Sequence, residues 1–351
     1  MARHIALCMV GDAVKGSRKV IYLVYREGLG SVFRSQVTEP AGFVAREGWP
    51  VNIWVFAAVG EFIRPACRRR WSKVREGIGV PVVRLPSPPS RWRWAWNENR
   101  VLSAAVRREG LTTQRIVLHC RGAFAAGMAL RIRARYPQIR VVFQMSGLLH
   151  EEAVMDTPRP WPGELEKQHD LLRRTMITAC RGADAVICVS RAMARYAMEH
   201  LEADPDRVRV IPCCTDPARF RLAHGIRDRI RASLGLQHKF VVAYCGSAAV
   251  WEAPERNLDV FRQIRALEPG SHALILTPSP AAFHRMARDA GLDEAALTLL
   301  QVPYNDVPMY LGAADIALLV RKRSIVNATA SPVKLAEYMA AGLPVVMSDG
   351  I

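Results

Sequence analysis

The sequence predicts an α/β protein made of two doubly wound, Rossmann-like domains that follow one another along the chain. Short β-branched runs alternate with longer helical patterns, which is typical of parallel strands joined by crossover helices. The 351 residues, half of them apolar, suffice for two separate cores. A Pro-rich break at residues 212–217 divides the alternation, so we expect a domain of residues 19–212, a linker of residues 213–224 and a second domain of residues 225–351.

The first block contains seven short apolar runs with helical patterns between them, most of which end at a Gly, Pro or polar break. Residues 1–18 lie outside this alternation and are interpreted as a leader or an extra strand. The predicted strands are residues 20–25, 51–57, 80–85, 116–119, 141–145, 185–189 and 208–211. The predicted helices are residues 31–47, 97–109, 123–135, 164–181 and 191–201.

The second block begins with a charged helical pattern at about residues 225–234. Five predicted strands follow, at residues 240–245, 273–277, 297–302, 316–320 and 345–348. The chain stops just past the last of them, whereas a complete doubly wound domain continues with further helices. We therefore expect the second domain to be incomplete, as in a truncated product or a fragment.

The formal charge of +17 indicates a polyanionic partner or an anionic surface. Nucleic acid is disfavoured, because no zinc-finger, RNA-recognition or helix-turn-helix signature is present and the basic residues are dispersed. Arg greatly outnumbers Lys, which either reflects genome base composition or suits a peripheral protein on an anionic inner membrane face. The eight cysteines show no metal-like spacing and are interpreted as buried, reduced thiols.

No apolar run approaches the roughly 18 residues of a membrane span, and the first apolar segment is too short for a signal peptide. The sequence therefore predicts a cytoplasmic protein. Residues 86–96 combine Pro, Arg and Trp in a pattern that suits a membrane interface, and a loop that tucks its indole rings under the first domain is the alternative interpretation.

The most informative stretch is residues 330–346, which has the start and stop signals of an anion-binding helix. Ser331 is a good N-cap, Pro332 fits the first helical position, and Gly342 supplies the stop. Free backbone N–H groups and the positive end of the helix dipole favour a phosphate there, with Lys334 one turn in. On local grounds alone, Lys334 and Glu337 could also be a solvated pair one turn apart.

This stretch resembles the nucleotide-sugar signature of family-4 glycosyltransferases, which have the GT-B fold of two facing Rossmann-like domains with a cleft between them. The resemblance implies a nucleotide diphosphate sugar bound by the second domain and a glycan or lipid-linked acceptor bound by the first. It also implies transfer with retained anomeric configuration, no metal and no cofactor, with Glu337 on the donor ribose. The residues that match the signature are Ser331, Pro332, Lys334, Leu335 and Glu337.

Strand ends supply further candidate site residues. Gly246 and Ser247 resemble the family's glycine turn at the donor diphosphate, and Arg256 is the nearest basic residue that follows. Gly30 lies in a Gly-rich turn after the first predicted strand, which could approach a phosphate or be a simple βα turn.

His119 and Arg121 are the candidate catalytic residues. His119 is predicted to end a strand, which would place its imidazole and the Arg121 guanidinium at the cleft edge. A structural histidine is the alternative interpretation.

Three residues depart from the family pattern. Gln144 and Ser146 stand where related chains carry charged or titratable groups, and Thr329 stands where the first of two glutamates is expected. These departures keep two alternatives open. One is a catalytically inactive nucleotide-sugar-binding or scaffold protein, and the other is a nucleotide-sugar epimerase on the same fold.

Overall fold

The computed structural model describes residues 19–28, 30–76, 79–87 and 94–351. The chain divides into two compact units. The first comprises the chain up to Val154 together with Arg159–Pro212, and the second comprises Met155–Pro158 and Cys213–Ile351. The expected leader at residues 1–18 lies outside the described residues, as does most of the Arg- and Trp-rich segment. Within the described ranges, no helix has the length and apolar character needed to cross a membrane.

The first unit is built on a seven-stranded, fully parallel sheet with the strand order β3-β2-β1-β4-β5-β6-β7. The inner strands are near-continuous runs of buried apolar residues, as expected for a sheet covered on both faces, whereas the two edge strands are partly exposed. In chain order, the strands are β1 (Lys19–Tyr25), β2 (Val51–Ala58), β3 (Val82–Ser87), β4 (Ile116–Arg121), β5 (Ile139–Met145), β6 (Ala185–Cys188) and β7 (Val208–Val210).

Crossover helices connect these strands. They are α1 (Ser31–Phe33), α2 (Glu39–Arg46), α3 (Val59–Ile63), α4 (Pro65–Glu76), α5 (Trp94–Arg108), α6 (Ala123–Arg133), α7 (Leu149–Glu152), α8 (Gly163–Gly182) and α9 (Arg191–His200). A π-helical turn at Arg34–Thr38 joins α1 to α2, so the single helix predicted at residues 31–47 is interrupted.

The second unit has a five-stranded parallel sheet with the order β10-β9-β8-β11-β12. Its strands are β8 (Phe240–Cys245), β9 (Ser271–Leu276), β10 (Leu297–Leu300), β11 (Ile316–Leu319) and β12 (Val345–Met347). Its helices are α10 (Ile226–Ser233), α11 (Pro254–Leu267), α12 (Pro280–Asp289), α13 (Val307–Gly312), α14 (Ile325–Ala328) and α15 (Val333–Ala340). Two parallel-sheet α/β units confirm the predicted fold class.

The second sheet has an apolar core on each face. Val241 and Ala243 of β8 belong to one buried cluster, and Val242 and Tyr244 belong to the other. This alternation follows from the two-residue period of a strand, whose successive side chains point to opposite faces. The carboxyl ends of the strands are thereby held by packing on both sides of the sheet.

The cysteines of the described ranges form no disulfide. Cys120, Cys180 and Cys188 are buried as expected, whereas Cys67, Cys213, Cys214 and Cys245 are only partly buried.

Both units place an aspartate directly before a strand, where it ties that strand to its neighbour. The Asp184 carboxylate accepts the Val141 N–H at 2.8 Å and pairs with two arginines. The Asp315 carboxylate accepts the Val241 N–H at 2.7 Å and likewise pairs with two arginines, Arg227 and Arg231. Partial burial works to raise the pKa of Asp315, but the Val241 N–H and the two guanidinium groups outweigh it and lower that pKa.

Replacing Asp315 by Asn is expected to lower the free energy of unfolding by about 2–3 kcal/mol near pH 7, because two arginines lose their shared partner. The folded-state pKa of Asp315 is lowered. The stabilisation is therefore complete above the ordinary Asp pKa of about 3.9 and is lost as the pH falls through the folded value. Urea unfolding near pH 7 and near pH 3 measures both effects. The exposed Asp289→Asn is the control, and an equal loss in both variants would contradict the role of Asp315.

Candidate functional site

A tight turn follows β8 in the second unit and holds a buried carboxylate. A Cβ atom added to Gly246 would lie 2.5 Å from Tyr244 Oη and 2.6 Å from Glu252 Oε2, so any larger residue would force the Tyr244 or Glu252 side chain to shift. The backbone N–H of Ser247 donates to Glu252 Oε2 at 2.7 Å, and the Tyr244 hydroxyl donates to the same oxygen at 3.2 Å. The end of β8 is therefore arranged around an anion, supplied here by Glu252.

Two cations accompany this carboxylate. The Lys334 ammonium donates to Glu252 Oε1, and both side chains are largely buried. Burial alone would raise the pKa of Glu252, but Lys334, Arg321 and the Ser247 N–H together lower it, so the group is ionised at neutral pH. One negative charge is thus surrounded by two positive side chains and a backbone donor.

Arg321 follows β11 and is 9 % exposed. Its guanidinium donates to Asn327 Oδ1 at 3.3 Å, while its buried Nε has no hydrogen-bond partner among the described residues. Burial lowers the pKa of Arg321, against the charge of Glu252, which raises it. A buried guanidinium with an unused donor adds to the capacity of this region to bind an anion.

The signature helix is α15, and it begins differently from the prediction. Pro332 is its N-cap, and the helix starts at Val333. Ser331 does not cap it, because its hydroxyl accepts the Cys213 N–H at 3.1 Å. The predictions of Ser331 as N-cap and Pro332 as first helical residue are therefore wrong by one position. The reason is that the Ser331 hydroxyl is hydrogen-bonded to the backbone N–H of Cys213, in the segment before α10.

The first turns of α15 carry three predicted residues. Lys334 pairs with Glu252, so the alternative of a solvated pair with Glu337 is not what the structure contains. Leu335 packs against the core of the second unit. Glu337 is 5 % exposed and lies near Cys245, since its charge adds to the burial that raises the pKa of that thiol to about 12. The next residue, Tyr338, accepts the Cys245 N–H at 2.9 Å and ties α15 to the end of β8.

Arg256 and Gly30 were also predicted to bind the donor, and Thr329 departs from the family pattern. Arg256 is exposed in the first turn of α11, and Lys334 and Arg321 are the cations that act on Glu252 instead. Gly30 belongs to the first unit, is exposed, and would accept a Cβ atom without contact within 4 Å. Thr329 is buried, and its hydroxyl donates to the Ile325 carbonyl at 2.8 Å within α14.

In the first unit, His119 is not at a strand end. Strand β4 continues to Arg121, and His119 is 2 % exposed with its ring stacked on Tyr22 at 4.4 Å. Its Nε2 lies 2.9 Å from Gln144 Oε1. Burial lowers the pKa of His119 to about 4 despite the bond to Gln144. The predicted position at the edge is therefore wrong, and His119 is a neutral, buried part of the sheet.

Arg121 ends β4 and joins the ends of two neighbouring strands. Its Nε donates to Glu27 Oε2 at 2.5 Å, and one terminal nitrogen donates to Ser146 Oγ at 3.2 Å. Gln144 and Ser146, which depart from the family pattern, are thus the direct partners of His119 and Arg121. The four residues form two hydrogen-bonded pairs across the neighbouring strands β4 and β5, with the His119 pair inside the sheet and the Arg121 pair at its carboxyl end.

Sequence reasoning missed Glu252, Arg321 and Asn327. Asn327 is 2 % exposed and donates to the Trp251 carbonyl at 3.0 Å, which connects the loop before Glu252 to α14. Arg321 directly follows the predicted strand at residues 316–320. Its place at the carboxyl end of a parallel strand could have identified it as a candidate site residue. Glu252 lies 82 residues from Lys334, and no local pattern joins them.

Two family models match the chain. The model described as Glycosyltransferase Family 4 matches residues 37–219, and the model described as Glycosyl transferases group 1 matches residues 226–351. Together they cover most of both units, with residues 1–36 and 220–225 outside the two matches.

Curated relatives include two D-inositol 3-phosphate glycosyltransferases. The protein of Corynebacterium kroppenstedtii is 25% identical over 240 residues, which are 64% of this chain and 51% of that protein. The protein of Corynebacterium glutamicum (strain R) is 21% identical over 344 residues, which are 92% of this chain and 78% of that protein. The chain spans about half the length of the first curated relatives it matches, with 51% and 44% of their residues.

Solved structures share the fold at low sequence identity. Anabaena Alr3699/HepE in complex with UDP and glucose has a TM-score of 0.68 at 16% identity, covering 95% of this chain and 81% of that one. WaaG, a glycosyltransferase involved in lipopolysaccharide biosynthesis, has a TM-score of 0.64 at 14% identity with the same coverage of 95% and 81%. The two α/β units are those of the GT-B fold, as expected.

Proposed function

Because the chain belongs to glycosyltransferase family 4, we propose that it transfers a sugar from a nucleotide diphosphate sugar to a glycan or lipid-linked acceptor. The observation that carries this proposal is the anion site around Glu252, where Ser247 N–H and Lys334 hold a carboxylate in place. Transfer with retained configuration, without a metal or cofactor, is part of the proposal and follows the family resemblance.

In the proposed complex the donor diphosphate takes the position of the Glu252 carboxylate. The Ser247 N–H and the Lys334 ammonium then donate to phosphate oxygens, and the buried Arg321 supplies a second positive charge. Once the Glu252 carboxylate is displaced, these groups stabilise the negative charge that develops on the leaving diphosphate. A metal ion is not needed for that neutralisation. Glu337 is the proposed partner of the donor ribose.

Uridine diphosphate hexoses are the first donors to test. This choice comes from Alr3699/HepE, whose structures are described in complex with UDP, with UDP and glucose, and with UDP-glucose. The hexosyl type of the transferred sugar remains part of the proposal.

In the first unit, Arg121 is the proposed contact for donor phosphate or acceptor. Its bonds to Glu27 and Ser146 hold the guanidinium at the carboxyl end of β4. His119 is proposed as a positioning residue, because a buried imidazole with its pKa lowered to about 4 is neutral at pH 7 and bonded to Gln144. Its contribution is to orient the strand ends from which Arg121 and Ser146 project.

The test is isothermal titration of the full chain with a panel of nucleotide sugars, followed by donor-hydrolysis and transfer assays. We expect one nucleotide diphosphate sugar to bind and to be turned over. Binding without turnover would contradict transfer and favour an inactive binding protein, the reading that Thr329 motivates. Conversion of the donor to its epimer would favour the epimerase. Absence of binding to every nucleotide tested would contradict all three functions.

We also propose that the protein works in the cytoplasm, at the periphery of the anionic inner membrane face. The net charge of +17 supports this, because each surface Lys or Arg contributes about 1 kcal/mol near an anionic leaflet. Binding to anionic but not zwitterionic vesicles, weakened by salt, is the expected result. Equal binding to both would contradict it.

A further inference from the structure

Two histidines and a glutamate of the first unit converge outside the residues discussed so far. One ligand atom from each of His150, Glu151 and His169 lies within 4.8 Å of the others. His150 and Glu151 belong to α7, and His169 belongs to α8. His150 is fully buried, and His169 is 8 % exposed. Such a set is unusual for the interior of a domain, because buried titratable groups need partners.

The contacts of His150 determine which of its nitrogens carries a lone pair. Nδ1 lies 3.3 Å from the Met176 thioether sulfur, which can only accept a hydrogen bond. The proton therefore belongs on Nδ1. Nε2 is left as an acceptor, 3.0 Å from the Tyr196 hydroxyl and 3.7 Å from Glu151 Oε1.

His169 has the same arrangement. Its Nδ1 lies 3.5 Å from the Asp170 carboxylate, which favours a proton on that nitrogen. Its Nε2 lies 3.9 Å from Glu151 Oε1, and it is buried without a hydrogen-bond partner among the described residues. A carboxylate behind the imidazole is the arrangement that orients metal-binding histidines in proteins.

Two imidazole lone pairs and a carboxylate oxygen thus face one another, and the Tyr196 hydroxyl lies within hydrogen-bonding distance of His150 Nε2 and Glu151 Oε1. Ligands of a tetrahedral zinc ion lie about 3.4 Å apart, given bond lengths of about 2.0–2.1 Å. The observed separations between Glu151 Oε1 and the two nitrogens are 3.7 and 3.9 Å, and all three ligand atoms lie within 4.8 Å of one another, so metal binding requires the histidine side chains to move closer together.

We propose that His150, Glu151 and His169 form a binding site for a divalent transition-metal ion of the zinc type, with water or Tyr196 Oη in the fourth position. Imidazole nitrogens and carboxylate oxygens are common ligands of zinc. A bound cation would satisfy the three acceptor atoms that lie together here. The site requires no part of the transfer reaction, so its test is independent of the proposed function.

The ion would join three elements of the first unit. Helix α7 follows β5 within a few residues, and the bound metal would fix it to α8, with Tyr196 bringing in α9. Ser146, the partner of Arg121, lies on the segment between β5 and α7. The metal would therefore hold the chain that follows Ser146 in one position.

The experiment uses the full chain, stripped of metal by a chelator and titrated with zinc against a chromophoric competitor. We expect one zinc ion per chain. At free zinc about 100-fold above the dissociation constant, the Tm should rise by about 5–10 °C. Glu151→Gln and His169→Gln should each weaken this binding by about 100-fold and remove the rise in Tm. His284→Gln, which removes an exposed imidazole of the second unit, is the matched control and should behave as the wild type.

Glu151 is partly exposed, so Glu151→Gln is expected to fold, and the Tm of the metal-free variant verifies this. Three results would overturn the proposal. One is a wild-type chain without a saturable zinc site. Another is zinc binding that persists unchanged in both variants. The third is a thiolate charge-transfer band after cobalt substitution, which would assign the metal to cysteines.

Discussion

Replacing Lys334 by Ala is expected to weaken binding of the nucleotide diphosphate donor by about 100- to 1,000-fold, equivalent to about 2.7–4 kcal/mol. Lys334 supplies the ammonium group that donates to Glu252 in the free protein and, as proposed, to the diphosphate in the complex. The substitution removes the ammonium group that would bind the diphosphate. It also leaves the largely buried Glu252 carboxylate without its paired lysine. Isothermal titration with the best donor of the panel measures the effect.

A loss of folding could imitate this result, so two further variants accompany Lys334→Ala. Lys239→Ala removes an exposed lysine of the same unit and should bind the donor as the wild type does. The double variant Lys334→Ala with Glu252→Gln removes the unpaired buried charge and should recover stability without recovering wild-type donor affinity. Wild-type affinity in Lys334→Ala, or full recovery in the double variant, would contradict direct contact between Lys334 and the donor.

Replacing Glu252 by Gln is expected to tighten binding of a nucleoside diphosphate by about 10-fold, because the donor no longer has to displace a carboxylate from Lys334. Lowering the pH is no practical substitute for this change, because the pKa of Glu252 is held below its usual value and the carboxylate stays ionised in more acidic solution than an ordinary glutamate does. The same substitution should lower the free energy of unfolding by about 1–2 kcal/mol, because it weakens the bonds to Lys334 and Ser247.

The matched control for Glu252→Gln is Glu255→Gln, which changes an exposed carboxylate three residues away. It should leave both affinity and stability unchanged. Titration with UDP at low salt and urea unfolding give the two measurements. Weaker binding of UDP by Glu252→Gln would contradict the idea that this carboxylate occupies the diphosphate position.

The fold could be predicted from sequence because parallel strands buried on both faces leave a strong local signal. All twelve predicted strands are present, with ends that differ by a few residues. The ends were where prediction failed, and one error changed an interpretation. Strand β4 runs two residues past His119, and this moves the imidazole from the expected edge into the sheet, against Tyr22. Hydrogen bonds to neighbouring strands decide such limits, and they are not visible in a local pattern.

The candidate site was predictable only where its residues share a local motif. Lys334 and Gly246 belong to such motifs, and the structure brings both to Glu252. Glu252 itself follows a short irregular turn, and its role depends on the ion pair with Lys334, 82 residues away. Sequence periodicity carries no information about such a distant contact. Arg256 was expected to supply the positive charge because it follows the turn in sequence. Its helix begins only after that turn and leaves the Arg256 side chain exposed, whereas Arg321, which follows a different strand, is the arginine that acts on Glu252.

A crystal structure of the full chain with UDP tests the central claim most directly. We predict diphosphate oxygens within about 3.2 Å of the Ser247 backbone nitrogen and of Lys334 Nζ, with the Glu252 carboxylate displaced from both. A diphosphate bound away from the Gly246 turn, with the pair of Lys334 and Glu252 intact, would contradict it.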